Sequence, residues 1–326
     1  MRMLSFDDPG CGEVATAGGK GASLARMAGL GLPVPPGFVV PADALASSLP
    51  DRAVELRELL ASAGSGEPAA EGGLASGGSG EPAAERSLAS LAEAARLIVL
   101  EAQPPAILRD AIGAAYRALG DDPPVAVRSS ARAEDSETAS YAGQQETYLH
   151  VRGPDEVVRR VRDCWASFFS ERALFYRARR GSLGDLGIAV VVQRMVAADV
   201  AGVLFTCDPV QQRPDRMVVE AVFGLGEAAV SGQVTPDHFV IARDGEVKKS
   251  RIAVQPFAVV GAPAGGTAER ELSADEGGAP TLDEARLRAL ARLGDDLERR
   301  LGVPQDIEWA LADGELYVLQ ARPVTA

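Results

Sequence analysis

The chain is poor in the residues that would direct it to several common roles. Its 326 residues include three lysines (Lys20, Lys248, Lys249), two histidines (His150, His238) and three cysteines (Cys11, Cys164, Cys207). The cysteines have no metal-ligand spacing and leave an odd thiol, which argues against a disulfide framework and fits a reducing, cytoplasmic setting. No uninterrupted apolar run approaches the ~20 residues of a membrane span. The opening MRMLSFDDPGCGE lacks the apolar stretch of a secretory signal. A net charge of −13 disfavours nucleic acid and membrane surfaces as partners, because binders of either set positive charge against phosphates.

What is present suits a folded protein larger than one core. With 46% hydrophobic and 24% charged residues, a chain of this length is expected to form about two lobes. Strand-like runs (FVV, VAVRSSA, GIAVVVQRMV) alternate with helical patterns and hairpin signals, which predicts an α+β or mixed α/β fold. The expected division is residues 1–192 and 193–326, with a low-complexity insertion at about 60–87. There LASAGSGEPAAE is followed by the near-copy LASGGSGEPAAE, rich in Gly, Ser, Glu and Pro. A clear amphipathic helix follows Thr281, read as its N-cap, and stops at Gly302.

The last stretch, QDIEWALADGELYVLQARPVT, reads as a hairpin that carries Glu308, Gln320 and Arg322 among apolar residues. Turn length decides which side chains share a face. A three-residue loop, Ala312-Asp313-Gly314, sets Glu308 opposite Val318 and puts Glu308, Gln320 and Arg322 in one polar row, with Ile307, Trp309, Tyr317 and Leu319 on the other face. A two-residue Asp313-Gly314 turn would set Glu308 opposite Leu319 and point it away from Gln320. The polar row has two readings: a solvated edge, or a hard-cation site in which a carboxylate and a carboxamide oxygen hold Mg²⁺ beside a guanidinium that meets a phosphate.

Other residues would complete such a site. Lys20, in the Gly-rich loop expected at the start of AGGKGASLARM, is either a survivor of an arginine-biased composition or a compact cation for phosphate; Arg128 ends the strand VAVR with a planar fork. SYAGQQ, Ser140 to Gln145, supplies small residues and backbone amides that could approach a polyphosphate. GGKG is not a Walker A loop, since Gly21 follows Lys20 and position 14 is valine, and no dinucleotide fingerprint follows a strand.

Taken in order, GGKGASLARM, VAVRSSARAEDSETASYAGQQETYL, VVVQRMV, AGVLFTCDPV, VVEAVFGLGEAAVSGQVTPDHFVI and QDIEWAL with YVLQARPVT resemble the N-terminal nucleotide-binding domain of the phosphoenolpyruvate synthase and pyruvate phosphate dikinase family, shared by rifampicin phosphotransferases. The resemblance implies an ATP-grasp fold with ATP and Mg²⁺ between two lobes. It implies that Lys20, Arg128 and Arg322 contact phosphates and that Ser140, Tyr141, Ala142, Gly143, Gln144 and Gln145 form the glycine loop over them. It further implies that Gln193, Met195 and Val196 lie beside adenine, that Glu220 is a nucleotide-contacting acid, and that Glu308 and Gln320 are the metal ligands. Family members pass a phosphoryl or pyrophosphoryl group to a histidine in a Thr-Ser-His setting on a further domain, then to an acceptor such as pyruvate or a hydroxyl compound. His150 in YLHV and His238 in TPDHF lack that setting and are expected to be structural, so the resemblance implies a partner domain or chain and AMP as product. Direct transfer giving ADP, or nucleotide binding without turnover, are the alternatives.

Overall fold

The computed structural model describes residues 1–49, 52–64, 88–131, 146–179, 182–211 and 213–324. The first part contains β1 (Leu4–Ser5), a 3₁₀ turn (Pro9–Gly12), α1 (Val14–Gly29), β2 (Gly37–Val40), α2 (Ala44–Ser48), α3 (Ala53–Gly64), α4 (Leu88–Glu101) and α5 (Ala106–Ala118). It continues through β3 (Val125–Ala131), β4 (Thr147–Val151), α6 (Pro154–Ser167), α7 (Glu171–Arg179) and β5 (Ile188–Arg194). The second contains β6 (Val200–Phe205), β7 (Arg216–Phe223), α8 (Glu227–Val230), β8 (Asp237–Ala242), β9 (Val247–Arg251), β10 (Phe257–Gly261), β11 (Thr267–Glu271), α9 (Ala274–Gly277), α10 (Glu284–Leu301), β12 (Gln305–Ala312) and β13 (Glu315–Pro323).

These strands build two antiparallel sheets and a separate hairpin, a mixed α/β architecture as expected. The first sheet has the order β1-β2-β5-β3-β4, the second β13-β12-β6-β7-β8-β9, and β10 pairs only with β11. The chain crosses from the first sheet to the second between Arg194 and Val200.

Strand alternation divides the first sheet cleanly. Val190 and Val192 of β5 face a core with α4, α6 and the large side chains Trp165 and Phe169. Ala189 and Val191 face the opposite way, into a core shared with α1, α10 and the buried residues Ile307, Trp309 and Val318 of the second sheet. α1 joins the two halves, packing on β5 and β3 and also on β13. Burying a side chain such as Leu24 or Met27 completely contributes roughly 1.5–3 kcal/mol, so this shared core is a substantial link.

Three local expectations are corrected. Residues 65–87 of the low-complexity stretch lie outside the described residues, but Leu60–Gly64 continue α3 and Leu60 is fully buried, so the insertion does not begin at 60. The N-cap of α10 is Asp283, which accepts from Arg286 N at 2.8 Å. Thr281 instead donates its hydroxyl to the buried Asp237 at 2.9 Å, an available partner that capping statistics do not include. Gly302 ends the helix in the left-handed region, φ 82°, as expected. Finally, Gly18–Gly21 do not form a loop: they lie within α1, whose axis breaks at Gly18 (φ 67°).

Candidate functional site

The break in α1 has a tertiary cause. A Cβ on Gly18 would stand 2.1 Å from the Ser130 carbonyl oxygen, and one on Gly21 would stand 3.0 Å from both Ala17 and Val39 side-chain atoms. Glycine at position 18 lets α1 press closely on β3, and glycine at 21 eases its packing on Val39 of β2. Ser130 fastens the contact by accepting from Gly21 N at 3.2 Å and donating to Ala17 O at 2.8 Å. Lys20 is thereby held at the sheet, almost buried, with Nζ donating to Ser129 O at 3.3 Å.

From the same strand, Arg128 reaches across to the second sheet. Its Nη2 donates to Glu308 Oε2 at 2.8 Å, an ion pair between residues 180 positions apart. The two side chains are 15% and 33% exposed, so the pair is partly shielded from water. Burial alone would push the Glu308 carboxyl up; Arg128, then Lys20 and Arg322, outweigh it and hold the group below the usual carboxylate range. The same three cations that sequence reasoning singled out therefore all act on one carboxylate.

Glu308 and Gln320 are directly opposed on β12 and β13. The register comes from a different device than the expected three-residue loop. The turn is Asp313-Gly314, both at positive φ (52° and 81°), a two-residue turn, and the pairing shifts by one residue between Glu308 and Trp309. Leu319 is the extra residue of that bulge. Without it Glu308 would face Leu319; with it the polar row is restored. Tyr317, expected on the apolar face, instead opposes Ala310 on the face of Glu308, while Val318 opposes Trp309 in the core.

The row extends across the sheet. Register places Val203 of β6 beside Glu308, Glu220 of β7 beside Val203, and His238 of β8 beside Glu220. Glu308 and Glu220 thus share one face two strand spacings apart, about 10 Å. His238 Nδ1 lies 3.5 Å from Glu220 Oε1. On the first sheet, Gln193 opposes Ala126 and Arg128 opposes Val191, so Gln193 shares the Arg128 face; it is buried and donates Nε2 to Pro35 O at 3.3 Å. Met195 and Val196 lie past the end of β5, and Met195 packs on a small cluster with Val222, Leu225 and Val259 rather than among the charged groups. The glycine loop, Ser140 to Gln145, lies outside the described residues.

Arg322 is already engaged. Its Nε and Nη2 donate to Asp306 Oδ2 at 2.8 and 2.7 Å. Burial pushes the Asp306 carboxyl up, against the pull of Arg322 and reinforced by Glu308. Sequence reasoning missed Asp306, although strand alternation puts it on the face of Glu308, two residues away. The donor set at Glu308 fits a hard cation by chemistry as well as by type: Gln320 is buried, and its Oε1 has no hydrogen-bond partner. A carboxylate beside an unsatisfied carboxamide oxygen is a pair that a magnesium ion would satisfy.

Neither histidine is a plain surface residue. His150 lies in β4 with φ 54°, and His238 is the second residue of β8. Cys11 and Cys164 are buried; burial first, and Asp8 second, push the Cys11 thiol up to about 12, which leaves it unreactive. Among the described residues no cluster of three His, Cys, Asp or Glu could hold a metal, and no helix is long and apolar enough to cross a membrane. A groove of about 670 Å³ runs along α1 past Phe6, Arg26 and Pro323 and contains none of the clustered charges described above.

Residues 14–326 match the pyruvate phosphate dikinase, AMP/ATP-binding domain. The chain is 38% identical over 335 residues to a probable phosphoenolpyruvate synthase of Methanocaldococcus jannaschii, covering 100% of this chain and 27% of that protein. It is 41% identical over 316 residues to the rifampicin phosphotransferase of Streptomyces sviceus, covering 96% of this chain and 34% of that one. The chain therefore spans about a third or less of either relative. A solved structure of D-alanyl-alanine synthetase A from Vibrio cholerae overlaps 74% of this chain and 56% of its own, at 12% identity and a TM-score of 0.31, too remote to bear on the fold.

Proposed function

The chain belongs to the pyruvate phosphate dikinase AMP/ATP-binding domain family, and on that premise we propose that it is the ATP-cleaving component of a magnesium-dependent phosphotransferase. In this reading it is an ATP-grasp unit that binds ATP between its lobes, which divide at the crossing between Arg194 and Val200 rather than at 192/193 within β5, and passes a phosphoryl or pyrophosphoryl group to a histidine on a partner domain or chain, leaving AMP. The observation that carries it is the Arg128–Glu308 pair at 2.8 Å, which joins the two sheets where Lys20, Gln320 and Arg322 also gather.

Phosphoryl transfer requires alignment and charge neutralisation more than covalent help from the protein, and that is what these residues provide. Lys20 and Arg128 present a point charge and a planar fork to phosphate oxygens from the first lobe, and Arg322, braced by Asp306, does so from the second. Glu308 and Gln320 would hold Mg²⁺, which supplies further neutralisation on the polyphosphate when bound. Glu220 faces the nucleotide two strands away, and Gln193, Met195 and Val196 mark the base end near the crossing between sheets. The glycine loop Ser140–Gln145 would cover the phosphates. His150 and His238 have no role as phosphoryl acceptors in this scheme, which is why an outside histidine is required.

Product analysis tests the proposal. The protein is incubated with ATP and Mg²⁺, alone and with the phosphohistidine domain of a relative, and AMP is resolved from ADP. AMP formed only with the added domain supports it. ADP from the protein alone refutes it in favour of a self-contained kinase, and tight ATP binding without either product in the presence of that domain favours a nucleotide-binding module.

A further inference from the structure

The β10–β11 hairpin belongs to neither sheet, yet it touches both halves of the protein. On the second half, Val259 of β10 forms a parallel bridge with Gly224, and Leu225 N donates to Val259 O at 2.8 Å. Gln255, buried just before the hairpin, accepts from Phe223 N at 3.0 Å. Val222, Leu225, Ala228, Val234 and Val259 form a small apolar cluster beneath it, on which Met195 and Ala198 of the crossing segment also pack. The hairpin is therefore fastened to β7 and the loop after it.

On the first half it meets His150, near the end of β4. Gly266 N, in the hairpin turn, donates to His150 O at 3.0 Å. A Cβ on Gly261 would stand 2.2 Å from both Cδ2 and Nε2 of the His150 ring. Gly261 is not in the left-handed region, so the ring, and not backbone conformation, is what demands glycine there. His150 itself adopts φ 54°, uncommon for a side chain of this size, and its Nδ1 is buried without a hydrogen-bond partner. An unfavourable backbone, an unsatisfied nitrogen and a fitted glycine converge on one contact.

We propose that the β10–β11 hairpin is a strap that limits how far the two lobes separate, with His150 as its seat on the first lobe. The two lobes are also joined by the covalent crossing at 195–199, by the Arg128–Glu308 pair and by the core around α1, so the strap adds a link at the β4 edge, away from that core. Contact of a ring on a glycine backbone is short-ranged, so it is lost as soon as the lobes part and regained only on closure. The seat lies outside the cluster of Lys20, Arg128, Glu308, Gln320 and Arg322, so it can be altered without touching those groups. This inference goes beyond the proposed transfer reaction and does not depend on it.

The test uses His150→Cys with Gly261→Cys in a Cys207→Ser background, and separately His150→Gly, which relieves the backbone while removing the ring. Oxidation should cross-link the cysteine pair, slow the release of a fluorescent ATP analogue about tenfold, and be reversed by reductant; His150→Gly should release it about threefold faster, because opening gates release. Small-angle scattering without nucleotide should give a larger radius of gyration for His150→Gly than for the oxidised pair. Failure of the cross-link to form in the folded protein, or release and scattering both indifferent to oxidation, overturns the strap. Should the analogue not bind at all, the nucleotide reading fails, and the scattering comparison alone upholds or overturns the strap.

Discussion

Replacing Glu308 with glutamine separates a metal-binding row from a solvated sheet edge. The substitution keeps an oxygen that can accept from Arg128 but removes the charge. A hydrogen bond to a charged group is worth about 1.5–3 kcal/mol when buried, and with Glu308 one-third exposed, solvent screening reduces the loss to about 1 kcal/mol. In a chain of this size that is a melting shift of about 2 °C. The effect on ligands is larger and has two signs. Free of its carboxylate, Arg128 is available to phosphate, so ATP without metal should bind as well as to the wild type or better. With Mg²⁺, a hard cation has lost its carboxylate, and the metal-dependent gain in affinity should fall at least about tenfold, or 1.4 kcal/mol. Calorimetric titration with ATP, with and without Mg²⁺, alongside melting curves, reads both effects. A variant that melts lower but keeps the wild-type gain from Mg²⁺ would refute the metal reading and leave Glu308 as an edge residue paired with Arg128.

Three further outcomes follow from particular contacts. Gln320→Leu removes a buried oxygen that has no protein partner, so melting without ligand should be unchanged or higher, while the Mg²⁺ concentration needed for half-maximal ATP binding rises several-fold in the same titration. Gly18→Ala puts a Cβ 2.1 Å from the Ser130 carbonyl at φ 67°, and urea unfolding should show a loss of about 3 kcal/mol. Opposite pH signs are expected from two acids on one strand. Glu308, held low, contributes stability that is complete above the unfolded carboxylate range near pH 4.3 and is lost as pH falls through its lower folded value; Asp306, pushed up, contributes stability that is complete below about pH 3.9 and is lost as pH rises through its higher one. Unfolding free energies from pH 2 to 7, with Glu308→Gln and Asp306→Asn as references, should give difference curves sloping in opposite directions.

Much of the candidate site was legible because its chemistry is carried by rare or misplaced residues. One lysine between glycines, an arginine ending a strand, and three polar residues in an apolar hairpin stand out without any coordinates. Asp306 was as accessible to the same logic, since it alternates in phase with Glu308, but an acid at the start of a strand looks like an ordinary solvated end. The glycines around Lys20 read as a loop in the sequence, whereas the chain there is a broken helix whose form depends on where β3 lies. Asp283 displaced Thr281 as a helix cap for a similar reason: Asp237 is 44 residues away and already holds the threonine.

The hairpin draws the line between what sequence alone determined and what the folded chain decided. Alternation of side chains and the Asp313-Gly314 pair determined that β12 and β13 would meet, because a two-residue turn with both residues at positive φ suits those residue types. They did not determine that Glu308 would face Gln320. That needed a bulge at Leu319, set by the demand that Trp309 and Val318 both enter the core beneath while Glu308 and Gln320 stay on the face toward Arg128. Local patterns carry information over a few residues, whereas the Arg128–Glu308 pair and the seating of Gly261 on His150 join positions more than a hundred residues apart. Such contacts exist only once two cores have packed, and packing is what sets them.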